Sequence, residues 1–106
     1  MKYLITESQF EKTIFKFIDM KDPYVFKTPH SYFFFTSRES MKGGESPIMK
    51  YDIEDEDCFI SSDFAKSVAT MFSLYPDNAL SIISDWIEDK LDVKITYYYS
   101  DFGTVN

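Results

Sequence analysis

Cysteine and histidine are nearly absent: Cys58 and His30 are the only examples among 106 residues. One cysteine closes no internal disulfide, which points to a reducing compartment, and the two together supply too few ligands for a closed zinc site. Glycine and proline are also scarce, at three and four. Gly43-Gly44 lacks the spacing and the Lys-Ser/Thr pair of a phosphate-cradling loop. No apolar run approaches the ~20 residues that a membrane-spanning helix needs. The start, Met1-Lys2-Tyr3-Leu4-Ile5-Thr6-Glu7, turns polar after two apolar residues, unlike a signal peptide. The expectation is a soluble, intracellular chain forming one globular domain over 1–106, without repeats, low-complexity segments or a cofactor motif.

Aromatic residues and carboxylates are what the chain has in abundance. Eleven Phe, eight Tyr and one Trp make 19% of the residues aromatic, and the net charge is −7. That charge is unevenly placed. Residues 1–50 hold eight Lys/Arg against six Asp/Glu, a balance of +2, whereas residues 51–106 hold three against twelve, a balance of −9. An acidic half repels phosphates and anionic lipid, which argues against direct nucleic-acid binding and favours a basic protein as the charged partner.

Hydrophobic spacing predicts the order α-β-β-β-α-α-β. Thr6-Glu7-Ser8-Gln9 has the form of a capping box, and Phe10, Ile14, Phe17 and Ile18 then recur at helical spacing until Lys21-Asp22-Pro23 stops the helix near Met20. A loop flanked by prolines leads to an aromatic strand over 31–37. A flexible hairpin loop over 38–47 separates it from a second strand over 48–53, where Met49, Tyr51 and Ile53 alternate with Lys50 and Asp52. Glu54 to Asp57 makes a charged turn into a third strand, Cys58-Phe59-Ile60. Ser61-Ser62-Asp63 offers caps for a second helix bearing Phe64, Val68, Met71, Phe72 and Tyr75 on one face. Pro76-Asp77-Asn78 breaks it, and a third helix follows to Leu91 with Leu80, Ile83, Trp86, Ile87 and Leu91 on its apolar side. Residues 93–99 form the last strand. The fold class is therefore α+β: a small antiparallel sheet of about four strands, with three helices on one face.

Two segments carry a family resemblance. Lys2-Tyr3-Leu4-Ile5-Thr6-Glu7-Ser8-Gln9 with Ile14-Phe15-Lys16-Phe17, and Asp85-Trp86-Ile87-Glu88-Asp89-Lys90-Leu91 with Val93-Lys94-Ile95-Thr96, resemble the opening and closing parts of small proteins of tailed bacteriophages. The resemblance implies a phage product, either a factor in the host cytoplasm or a virion component. It implies no reaction and no catalytic residues.

The residues themselves offer few routes to chemistry. Cys58 and His30 are the minimum for a thiol nucleophile and its base, but Asp57 beside Cys58 raises a thiol pKa that such chemistry needs lowered, so the expectation is not an enzyme. Asp52 and Glu54 to Asp57 concentrate oxygen ligands that Ca²⁺ accepts, yet without EF-hand spacing, and no dedicated metal site is expected.

Two surfaces remain as partner-binding candidates. Asp85, Glu88, Asp89 and Asp92 lie at i, i+3, i+4 and i+7, a carboxylate stripe at a helix C-terminus where the macrodipole favours cations. Together with Glu54, Asp55, Glu56 and Asp57 it suggests an inhibitor or modulator whose acidic half engages a basic host protein, with charges spaced like those of a nucleic acid strand. The aromatic runs at 32–35 and 97–99 suggest the alternative. One helical layer covers one sheet face, so side chains such as Tyr32, Phe34 and Tyr98 are expected to lie uncovered and to support self-association or virion assembly.

Overall fold

The computed structural model describes residues 7–100. Helix α1 (Glu7–Lys21) is followed by strands β1 (Tyr24–Lys27) and β2 (Ser31–Phe35), a short helix α2 (Arg38–Lys42), strands β3 (Met49–Asp52) and β4 (Asp57–Ile60), helices α3 (Ser62–Phe72) and α4 (Pro76–Leu91), and strand β5 (Tyr97–Ser100). The class is α+β, as expected. The capping box at Thr6 lies outside the described residues.

The five strands stand side by side in sequence order. β1 to β4 form an antiparallel meander, while β5 pairs with β4 in parallel, so the sheet is mixed and not purely antiparallel. The helical pair α3–α4 is the cause, because a crossover through helices returns the chain to the end from which β4 began.

Two further elements depart from the expected order. β1 occupies what reads as a proline-flanked loop; on an edge strand, Pro23 and Pro29 interrupt no ladder. α2 lies in the expected flexible hairpin loop. It is a single capped turn, in which the Ser37 hydroxyl oxygen accepts from the Ser40 N–H at 3.0 Å and Gly43 N–H closes onto the Glu39 carbonyl. Gly44, at φ 82°, then takes the chain out of the helix in a conformation that suits glycine.

Strand register sorts every sheet side chain to a face. Phe34, Met49 and Ile60 lie in one cross-strand row, and Tyr32, Tyr51, Cys58 and Tyr98 in the next. That face meets the helices: Phe34, Met49, Cys58 and Ile60 form one buried cluster with Ile14 and Ile18 of α1, Ala65 and Val68 of α3, and Ile83, Trp86 and Ile87 of α4. The Trp86 ring meets Phe34 edge-on at 5.6 Å and donates its indole N–H to Asp19 Oδ1 at 2.9 Å, which ties α4 to α1. Tyr32 and Phe34, expected on the uncovered face, are on the covered one. In Tyr32-Phe33-Phe34-Phe35 both alternations are aromatic, so composition alone does not choose between them.

The second helix also turns differently. Its buried stripe is Ala65, Val68 and Ala69, with Phe64 and Phe72 packed against the core as expected, whereas Met71 and Tyr75 point to solvent. Ser73, in the left-handed region at φ 55°, ends α3 two residues before Tyr75, and Pro76 opens α4 at a position where its missing N–H costs nothing.

Candidate functional site

The face of the sheet turned away from α1, α3 and α4 carries an aromatic row, beside which Phe35 of the same face is buried. Phe26, Phe33, Lys50, Phe59 and Tyr99 are successive cross-strand partners over all five strands. Lys50 Nζ sits 5.5 Å above the Phe33 ring, and Phe59 meets Tyr99 edge-on at 5.6 Å. Tyr97 stacks on Tyr99 at 5.9 Å and is 63% exposed. Phe26 and Tyr99 are exposed as well, whereas Phe33 and Phe59 are half-covered by these neighbours. Among the described residues, the three long helices direct their buried side chains to the opposite face. Tyr98, expected on the uncovered face, pairs with Cys58 on the helical side and is exposed because β5 is an edge.

One end of this open face is acidic. Ser31, Asp52, Asp57 and Tyr97 form the row beyond Phe33, Lys50, Phe59 and Tyr99, so two carboxylates stand directly opposite each other on β3 and β4. Like charges in that relation oppose folding. Residues 53–56 turn between the two strands, with Asp52 Oδ1 accepting from the Glu54 N–H at 3.2 Å and Glu56 at φ 54°. Asp55 reaches back so that one oxygen each from Asp52, Asp55 and Asp57 lies within 4.8 Å of the others. Partial burial, then Asp52 and Asp55, push the Asp57 carboxyl above the usual carboxylate range, and Lys50 offsets part of this. The same field reaches Tyr99, whose phenol is raised by burial and by Asp57 and Asp52.

The sequence-predicted carboxylates divide into those facing solvent and those built into the fold. Glu54, Asp55 and Asp89 are exposed. Glu56 Oε1 accepts from the Thr96 hydroxyl at 3.0 Å, and its backbone carbonyl accepts from the Thr96 N–H at 2.7 Å. Glu88 Oε2 accepts from the Ile95 N–H at 2.7 Å. Asp92 ends α4 in the left-handed region at φ 54°, where its role is to turn the chain. Asp85 is half-buried, and burial with Glu11 and Glu88 nearby raises its carboxyl. The stripe at 85–92 is thus partly absorbed in anchoring the approach to β5, while the 54–57 turn keeps free carboxylates beside exposed tyrosines. Glu56 and Glu88 grip adjacent residues of this approach from two sides, and both raise the phenol of Tyr51, though less than its own burial does.

Thiol chemistry finds no support in the geometry. Cys58 is 1% exposed, and burial is the main cause that pushes its thiol from the usual 9.0 up to about 12, against a lowering hydrogen bond from Ser84. His30 lies in the exposed β1–β2 turn. Among the described residues, no helix is long and apolar enough to cross a membrane.

Sequence reasoning missed Phe26, Phe33, Lys50, Phe59 and Tyr99 as a set. The signal was present in Lys50, the one cation in the alternation of the second predicted strand, which marks the outward parity for its neighbours. No protein-family model matches the chain, and neither the curated proteins nor the solved structures contain a match to it.

Proposed function

We propose that this is a non-enzymatic binding protein whose open sheet face and acidic end engage a basic segment of a protein partner. The observation that carries the reading is the continuity of Asp52, Asp55 and Asp57 with the exposed rings of Tyr97 and Tyr99. A lysine or arginine placed there relieves the repulsion between opposed carboxylates and meets aromatic faces at the same time. Aromatic sheets also serve as stacking platforms for single-stranded nucleic acid, but such platforms are lined by cations, and here carboxylates flank the rings on a chain of net charge −7. In the phage context that the sequence resemblance implies, the partner is a basic protein of the host cytoplasm, and binding inhibits or modulates it. Charge mimicry of nucleic acid rests on the exposed Glu54 and Asp55 of the turn more than on the stripe at 85–92, where Asp85 is half-buried and Glu88 is committed to Ile95.

The test is a titration of the isotope-labelled protein with a peptide alternating Lys or Arg with apolar residues. Amide shifts are expected at Asp57, Phe59, Tyr97 and Tyr99, with affinity falling steeply between low and moderate salt. Asp52→Asn combined with Asp57→Asn should weaken binding about tenfold or more. Binding that ignores salt and the double substitution overturns the proposal. A second reading, assembly into a virion or oligomer, is favoured by the exposed Phe26 to Tyr99 row. Self-association that is lost in Tyr99→Asp, with no response to basic peptide, would establish that reading instead.

A further inference from the structure

On the helical side of the molecule, far in character from the acidic sheet end, α1 and α3 part to leave a groove of about 880 Å³. Phe17 and Lys21 of α1, Phe64, Lys66 and Met71 of α3, and Ile48 at the entry to β3 line it. Its floor is held by packing, since Phe17 meets the Phe72 ring edge-on at 5.5 Å and joins the two helices. Its volume falls within the ~300–1,000 Å³ of small-molecule sites. The charge of the lining is the opposite of the molecule's: among the described residues, two lysines and no carboxylate line the groove, on a chain with 18 Asp/Glu against 11 Lys/Arg. Lys21 Nζ lies 5.1 Å above the ring of Phe17, so the cation is held over the apolar wall, and Thr70 lines the groove from the facing helix. Met71, 60% exposed, leaves an apolar side chain at the rim with solvent as its neighbour.

We propose that this groove binds a long-chain carboxylate, with the alkyl chain along Phe17, Ile48, Phe64 and Met71 and the anionic head at Lys21, whose ammonium is held over the apolar wall. Charge complementarity selects an anion, and the apolar wall selects a tail. A volume of about 880 Å³ suits a single small amphiphile. The site is independent of the open sheet face, and its success or failure leaves that reading untouched.

Laurate, titrated below its micelle concentration into the isotope-labelled full chain, is the probe. Saturable shifts are expected at Phe17, Ile48, Phe64 and Thr70, with none at Phe59, Tyr97 or Tyr99. Lys21→Glu, at an exposed position in the last turn of α1, should weaken binding about tenfold or more, and Met71→Asp should do likewise without altering the fold. Dodecyltrimethylammonium, with the same tail and opposite charge, should produce no saturable shift at the groove. The proposal is overturned if laurate fails to saturate, if the cationic amphiphile binds equally well, if neither substitution changes the affinity, or if an acidic amphipathic peptide fills the groove where laurate does not.

Discussion

Cys58 shows how a single buried side chain governs the response of the fold to alkali. Its neighbours on the same sheet face are Tyr51 and Tyr98, Ser84 of α4 hydrogen-bonds it, and water is excluded. The thiolate is therefore disfavoured in the folded chain and ordinary in the unfolded one. Because the folded-state pKa is the higher, the contribution of the protonated thiol is complete below about pH 9 and is lost as the pH rises toward about 12. Between those limits the unfolded chain releases a proton that the folded chain keeps, which lowers stability by about 1.4 kcal/mol per pH unit. Urea denaturation stepped between pH 9 and pH 10, below the range in which the raised phenols of Tyr51 and Tyr99 add their own loss, should approach that slope, and Cys58→Ala, though less stable overall, should flatten it. At pH 8 an aromatic disulfide reagent should leave the folded protein unmodified and titrate one thiol once urea is added. Rapid labelling of the folded protein would contradict the burial argument.

At the scale of elements, β5 is held by side chains as much as by its ladder. It is an edge strand of four residues with a mostly exposed surface, which by itself is marginal. Tyr51 donates its hydroxyl to the Lys94 carbonyl at 3.2 Å, Glu88 receives the Ile95 N–H, and Glu56 receives both donors of Thr96. Glu88→Ala should leave the Ile95 N–H without its acceptor and cost about 1–3 kcal/mol, whereas Glu88→Gln keeps an oxygen there and should cost less. Amide exchange is the discriminating measurement: in Glu88→Ala the amides of β5 should exchange faster, with β2 and β3 little changed. This clamp also marks where sequence reading stops. Helical periodicity identified Leu80, Ile83, Trp86 and Ile87 as the apolar side of α4, and all four are buried. It equally placed Glu88 on a solvent stripe, because periodicity registers direction around one helix and carries no information about the segment that later folds back over it. β1 and α2 were illegible for a related reason. A four-residue edge and a five-residue helix are too short to show a period, and their signals, proline flanks and a Ser37 cap, also occur in plain loops.

For the whole molecule, the division of aromatics and charge between two sheet faces fixes how stability depends on solution conditions. The abundance of aromatic residues was legible as an interface signal, and Lys50 marks the outward parity of β3, but the parity of β2 emerged only from its register with that strand, because Tyr32 to Phe35 reads equally well either way. The concentration of carboxylates in the second half was legible from counting, and the structure gathers Asp52, Asp55 and Asp57 at one sheet end. Asp57 and Asp85 both have carboxyls raised by burial and by like-charged neighbours. A carboxyl whose folded-state pKa exceeds its unfolded value favours folding most below the unfolded pKa, and that contribution is lost as the pH rises through the folded one. The thermal midpoint at low protein concentration should therefore rise as the pH is lowered from neutral through the carboxylate range toward the ordinary value of 3.8, the reverse of a fold whose carboxylates are held by cations. Added sodium chloride at pH 8 should raise it too, by screening the repulsion within a chain of net charge −7. Asp57→Asn should raise the midpoint at pH 8 and reduce both responses, since the amide keeps the shape of the opposed pair and removes one of its charges. A midpoint that falls on acidification and is indifferent to salt would mean that the acidic end is already neutralised within the folded chain, leaving no unsatisfied charge for a basic partner to meet.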